Sequence, residues 1–196
     1  MKEVIFTAKI GLEGLTPLLH HACNGLGEKV ATNATTDYSE EWKTTTYINS
    51  DGFLVVPERC LSACFREAAR GTKIGKLTMP RVISSGIQIE EFEVEIHYPG
   101  KTGDKLTIEE MEKENYLFSC PVVVKLNRVL RTRAAVPIGW HLDFTLQVTN
   151  PLLKPDILRD LIDNAGYMCG LLDNRPNAPK KPGKFGQFKL DYFNVI

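Results

Sequence analysis

Two amphipathic stretches, each entered through a proline and each set between alternating strands, constrain this chain more than any other feature. In residues 57–70, Pro57 opens a helix whose Leu61, Cys64, Phe65 and Ala68 fall at i, i+3, i+4 and i+7, with Gly71 as the stop. In the second, Pro155 leads, Leu158, Leu161, Ile162 and Ala165 form the apolar stripe, and Gly166 and Gly170 end it. Each stripe needs a sheet to cover it. Candidate strands are present: Val4, Phe6, Ala8 and Ile10 alternate, as do residues 87–96 and the face Trp140, Leu142, Phe144, Leu146 and Val148. Residues 122–133 read as one long strand, and residues 185–192 as the last.

The resulting order is strand, helix, strand, strand, helix, strand. That order predicts an α+β, ferredoxin-like (RRM-like) fold with a four-stranded antiparallel sheet and two helices on one face. At 196 residues with 43% hydrophobic content, the chain can bury one core, so residues 1–196 are read as a single domain. Three segments elaborate it. Residues 11–46 show no persistent hydrophobic period and are expected to be an inserted arm, a length that points to a binding role. Residues 98–120, with Glu109, Glu110, Glu112 and Glu114, are expected to project from the core, and residues 170–187 form a loop rich in glycine and lysine. Asn49-Ser50-Asp51-Gly52 predicts a tight turn.

No apolar run approaches the ~20 residues needed to cross a bilayer, and the start of the chain lacks a signal-peptide core, so a cytosolic protein without membrane contact is expected, in a bacterium or a phage-infected host. The five cysteines show no CxxC pair and suit reduced thiols; Cys60, Cys64 and Cys169 read as small core residues. Lys plus Arg and Asp plus Glu both count 24, which excludes a uniformly basic coat. Any nucleic-acid surface must therefore come from local segregation of charge.

Two basic stretches show such segregation. Lys125, Arg128, Arg131 and Arg133 are opposed only by Asp143 before residue 150, and Arg175, Lys180, Lys181, Lys184 and Lys189 fall in a run without acids from 174 to 190. In the second, small residues could admit a phosphodiester to main-chain N–H groups while lysines supply charge. A solvated loop with turn residues fits equally well, and charge alone does not choose between the two.

The helix at 155–169, the run Gly170-Leu171-Leu172-Asp173-Asn174-Arg175-Pro176 and the run Gly183-Lys184-Phe185-Gly186-Gln187-Phe188 resemble the carboxy-terminal helix, glycine-rich loop and last strand of the RAMP superfamily. These are ferredoxin-like RNA-binding proteins that include backbone subunits of CRISPR effector complexes. Arg131-Thr132-Arg133 followed by Trp140 is similar to the segment before that loop in small RAMP-like proteins of phage and prophage origin. Gln187 stands where a basic residue is common, which weakens the hold on one phosphate.

The resemblance implies sequence-nonspecific binding of single-stranded nucleic acid, RNA in the first place, by copies that assemble as a homo-oligomer or filament along the strand, with ribonucleoprotein partners possible. No cofactor is expected. The residues expected to bind are His20, His21, Trp42, Lys43, Arg66, Arg128, Arg131, Arg133, Arg175, Lys180, Lys181, Lys184 and Gln187. Trp42, between Glu41 and Lys43, is the expected exposed base-stacking platform, whereas Trp140 is expected in the core. A non-catalytic binder is the leading reading. One alternative is a metal-dependent endoribonuclease using Asp37, by likeness to backbone subunits that cleave with a loop acid and a divalent metal. Another is a phage single-stranded DNA binder, or a protein mimic that joins a host ribonucleoprotein through its acidic patch.

Overall fold

The computed structural model describes residues 3–22, 41–99, 105–124, 127–179 and 182–196. It is a mixed α/β fold built on antiparallel sheets. Strand β1 (Phe6–Gly14) buries Ala8, Ile10 and Leu12 completely on its inner face and runs four residues past Ile10, into what the sequence suggested was the arm. On one side it pairs with β10 (His141–Val148), in register from Phe6 opposite Val148 to Glu13 opposite His141, and on the other with β11 (Phe188–Val195). The far side of β10 receives β6 (Ile87–Ile89) and β7 (Glu93–His97), and β7 pairs with β3 (Val55–Pro57). The sheet therefore has six strands in the order β11-β1-β10-β7-β3 with β6 beside β10, not the four expected.

Residues 87–96 form two strands where periodicity alone suggests one. Between β6 and β7 the carboxylate of Glu91 accepts the Thr145 main-chain N–H at 2.9 and 3.0 Å, taking the place of a ladder carbonyl. Helices α2 (Glu58–Ala68) and α5 (Pro155–Met168) bury the predicted stripes against the sheet and each other, and the Phe65 ring stacks 6.3 Å from Phe144 of β10. Helix α5 comes very close to β11: a Cβ on Gly166 would lie 1.9 Å from the Phe188 carbonyl oxygen. The two-stranded β4 (Lys73–Ile74) and β5 (Leu77–Thr78) lead into α3 (Met79–Gly86), which buries Met79, Val82 and Ile83.

A second sheet of three strands joins β2 (Leu18–Leu19), β9 (Asn127–Val136) and β8 (Leu117–Val124). Residues 122–133 are thus not one strand: the chain reverses between Val124 and Asn127, which pair with each other. The segment at 98–120 does not simply project. Helix α4 (Ile108–Lys113) starts with a capping box between Thr107 and Glu110, and Leu106 and Met111 are completely buried.

The described part of the arm also folds inward. Trp42 lies in the short α1 (Glu41–Thr44) and is only 2% exposed, so it is a core residue and not a stacking platform; the hydroxyls of Thr45 and Thr46 bond back to carbonyls of this turn. Its neighbour Lys43 pairs with Glu112 at 2.9 Å. His20 is completely buried, with Nδ1 accepting the Tyr47 N–H at 3.3 Å, and is closed to any nucleic acid.

Two measurements check this packing. Gly166→Ala is expected to lower unfolding free energy by about 1–3 kcal/mol in urea, because the added methyl must force α5 off β11. Burial pushes the His20 imidazole down to about 3, so the folded protein keeps it neutral while the unfolded chain protonates it near 6.5. Its contribution is complete above that unfolded value and is lost as pH falls toward 3, amounting to about 2 kcal/mol between pH 7 and pH 5. Denaturation of the wild type and His20→Gln at those two pH values should show the variant losing less stability on acidification.

Candidate nucleic-acid interface

The segment that follows α5 turns sharply. Gly170, Leu172 and Asn174 all have positive φ (67°, 58° and 51°), which reverses the chain just beyond the Cys169 cap. The later glycines serve contact with the protein's own backbone: a Cβ on Gly183 would meet the Asn174 oxygen at 2.1 Å, and one on Gly186 the Leu171 oxygen at 2.1 Å. Main-chain donors here are used internally. Gly183 N–H donates to Arg175 O, Phe185 N–H to Asn174 O, Gly186 N–H to Pro17 O and Gln187 N–H to Thr16 Oγ1, at 2.8 to 3.2 Å. The expected cradle of free amides is therefore closed at these four positions, whose N–H groups are not open to an anion.

Two hollows flank residues 173–179. The first, about 540 Å³, lies against the β8–β9 hairpin and is lined by Phe118, Cys120, Pro121, Arg131, Arg133, Asp173 and Arg175, among others. Strand register explains the wall, because Phe118 pairs with Arg133 and Cys120 with Arg131 on one face. Both of these arginines are neutralised within the protein. Arg131 forms an ion pair with Glu41; Arg133 lies 3.7 Å from the same carboxylate and 3.5 Å from Asp173. His21 adds a contact to Arg133 at 3.3 Å and to Asp173 at 3.6 Å, and partial burial together with Arg133 holds its imidazole below the ordinary range.

The second hollow, about 510 Å³, runs between α2 and residues 169–179. Among the described residues its charged lining is Arg59, Arg66, Arg70 and Arg175 against the carboxylate of Glu67. Glu67 is already engaged by Arg70 at 3.0 Å and by the Asn177 amide at 3.0 Å. Arg59 and Arg66 are exposed; Arg59 stands 5.7 Å over the Tyr47 ring, and Arg175 is steadied by donating to Leu172 O at 2.7 Å. Arg59 and Arg70 were not among the expected binding residues. The signal was present in the sequence as the polar face of the Pro57 helix, outweighed there by the denser lysine runs.

The remaining expected residues are dispersed. Lys184 and Arg128 are exposed, and strand alternation puts Arg128 on the opposite face of β9 from Arg131 and Arg133. Gln187 donates from its side chain to Tyr167 O at 3.1 Å. Trp140 is completely buried, and its indole N–H donates to Thr16 O at 2.8 Å. Asp37, Lys125, Lys180 and Lys181 lie outside the described residues. Among the described residues, no group of three or more His, Cys, Asp or Glu side chains is arranged to hold a metal ion, and no helix is long and apolar enough to cross a membrane.

No family model matches the chain, and no curated protein matches it in sequence. Solved structures do match. One is a chain of the cryo-EM structure of the Type III-B Cmr-beta bound to cognate target RNA, at a TM-score of 0.52 and 11% identity, over 97% of this protein. The protein spans 60% of the length of that chain. At such low identity the likeness is one of fold alone: this protein shares its overall fold with a chain of that structure.

Proposed function

We propose that this protein binds single-stranded RNA through its phosphates, in the groove between α2 and residues 169–179. The observation that carries the reading is the arginine-to-glutamate ratio of that groove, in a chain whose overall formal charge is zero. Guanidinium groups on a helix and an adjoining loop pair with phosphate oxygens by geometry as well as charge. Contacts of that kind read the backbone and not the bases, so binding without a sequence code follows.

The fold supports the same reading. The strand order β11-β1-β10-β6/β7, with α2 and α5 on one face, is the order of a ferredoxin-like sheet, here with its second strand divided and β3 added at the edge. The similar chain in the Type III-B Cmr-beta structure belongs to a complex bound to target RNA. RNA is accordingly the ligand to test first.

Anisotropy titrations of a labelled single strand over a range of salt will decide. Replacing Arg59 and Arg66 with glutamine is expected to weaken binding and to lower the salt slope by about 0.7 for each phosphate that the variant no longer neutralises. Replacing Lys184 instead should have a smaller effect. An unchanged slope in the double arginine variant would remove the groove from the interface, and equal affinity for DNA would remove the preference for RNA. The stoichiometry at saturation shows in the same titration whether several copies share one strand.

A further inference from the structure

Phe92 is 89% exposed, more than any other large apolar side chain among the described residues. It stands on the link between β6 and β7, and that link is tied down. Glu90 N–H donates to Thr145 O at 3.0 Å, the Glu91 carboxylate holds the Thr145 N–H, and the Phe92 carbonyl accepts the N–H of Glu58, the first residue of α2, at 2.9 Å. The next residue, Glu93, is in register opposite Pro57 of β3. A backbone fixed to β10, β3 and α2 thus presents a ring almost wholly to water, where it adds little to the folded core.

The ring borders a hollow of about 490 Å³ lined by Tyr47, Pro57, Glu58, Arg59, Phe92 and Glu93. Tyr47 is held by its own main chain, which donates to His20 Nδ1 at 3.3 Å and accepts Val55 N–H at 3.1 Å, and the Arg59 guanidinium lies 5.7 Å over its ring. Arg59 also lines the arginine groove, so the groove and the hollow adjoin at this side chain. Their charges differ. Among the described residues the groove sets Arg59, Arg66, Arg70 and Arg175 against Glu67, whereas the hollow sets Arg59 against Glu58 and Glu93. A phosphate is drawn to the first and repelled by the second. An uncharged base meets no such repulsion, and its amino group finds acceptors there.

We propose that this hollow takes one nucleobase of the bound strand, stacked on Phe92, and that its carboxylates favour a base with an exocyclic amino group, such as cytosine, over uracil. The proposal rests on the RNA reading above and adds a base-sensing position beside a groove that reads only phosphates. Stacking on a fixed aromatic ring is open to every base, so Phe92 supplies affinity without choice. The choice comes from Glu58 and Glu93. An ionised carboxylate accepts hydrogen bonds and donates none, which suits the cytosine amino group, whereas uracil turns a carbonyl oxygen to the same place. Arg59, at the boundary, holds the adjoining phosphate on the groove side.

The test is a salt series of anisotropy titrations with labelled oligo(C) and oligo(U) of equal length, on the wild type, Phe92→Ala, Phe92→Trp and Glu93→Gln. The wild type should bind oligo(C) more tightly, by roughly 5-fold or more. Phe92→Ala should weaken both strands by about 5- to 100-fold at an unchanged salt slope, because no phosphate contact is lost. Phe92→Trp should keep wild-type affinity, and Glu93→Gln should narrow the gap between the two strands. Since the Phe92 ring lies in water, its replacement leaves the core intact, which circular dichroism checks. Wild-type affinity in Phe92→Ala, the outcome if the ring anchors a protein partner instead, would overturn the proposal and leave the arginine groove standing. A lowered slope in Phe92→Ala, or equal wild-type affinity for the two strands, would overturn it as well. Conversely, a full slope in the Arg59 and Arg66 double variant beside a weakened Phe92→Ala would remove the groove and keep the base site, and a wild type that binds neither strand removes both.

Discussion

A knot of main-chain bonds around Gly186 sets the geometry of everything near the candidate interface. Gly186 N–H donates to Pro17 O, its carbonyl accepts Leu171 N–H, and Gln187 is bonded to both Leu15 and Thr16. The buried indole of Trp140 holds Thr16 from beneath. These bonds tie the end of β1, the exit of α5 and the entry to β11 into one rigid base. Residues 172–179 extend from that base, and their position relative to α2 is therefore fixed by backbone bonds, not by the charged side chains they carry.

Given that base, the two sets of arginines meet different fates. Arg131 and Arg133 are largely withdrawn from solvent, where an unpaired charge would be costly, and Glu41 and Asp173 compensate them. The arginines on the outward side of α2 stay in water, where they need no partner and keep their charge available. Equal totals of acid and base thus hide a strong local asymmetry. Most of the compensation falls at the hairpin, and the surplus falls at the helix.

How much of this was legible in the sequence depends on the range of the interaction involved. Period-two and period-3.6 patterns are local, and they located β1, β10, α2 and α5 well; Asn49 and Gly52 marked their turn, with Asn49 Oδ1 accepting from Asp51 and Phe53. Helix α3 was missed although Met79, Val82 and Ile83 have helical spacing, because eight residues give too short a period to stand out. The reversal after Val124 carries no glycine or proline to announce it. Trp42 sits between two charges and looks exposed, yet its burial is decided by strands far away in the chain. The pairing of Glu41 with Arg131, 90 residues apart, is equally invisible to any local pattern. For the candidate site, the sequence supplied Arg66 and Arg175 but placed the weight on lysine runs. What it could not supply was which cations would be left without a carboxylate once the chain had folded.

Arg175 borders both hollows, with its guanidinium fixed to the Leu172 carbonyl. It works as a shared fence post between two chambers of similar size but different character, one mostly self-neutralised and one cationic. A polymer lying along the helix side would have to bend around that post to send a residue into the hairpin side. The partition makes length and flexibility of the guest, and not its charge alone, the property that decides whether one chamber is filled or two.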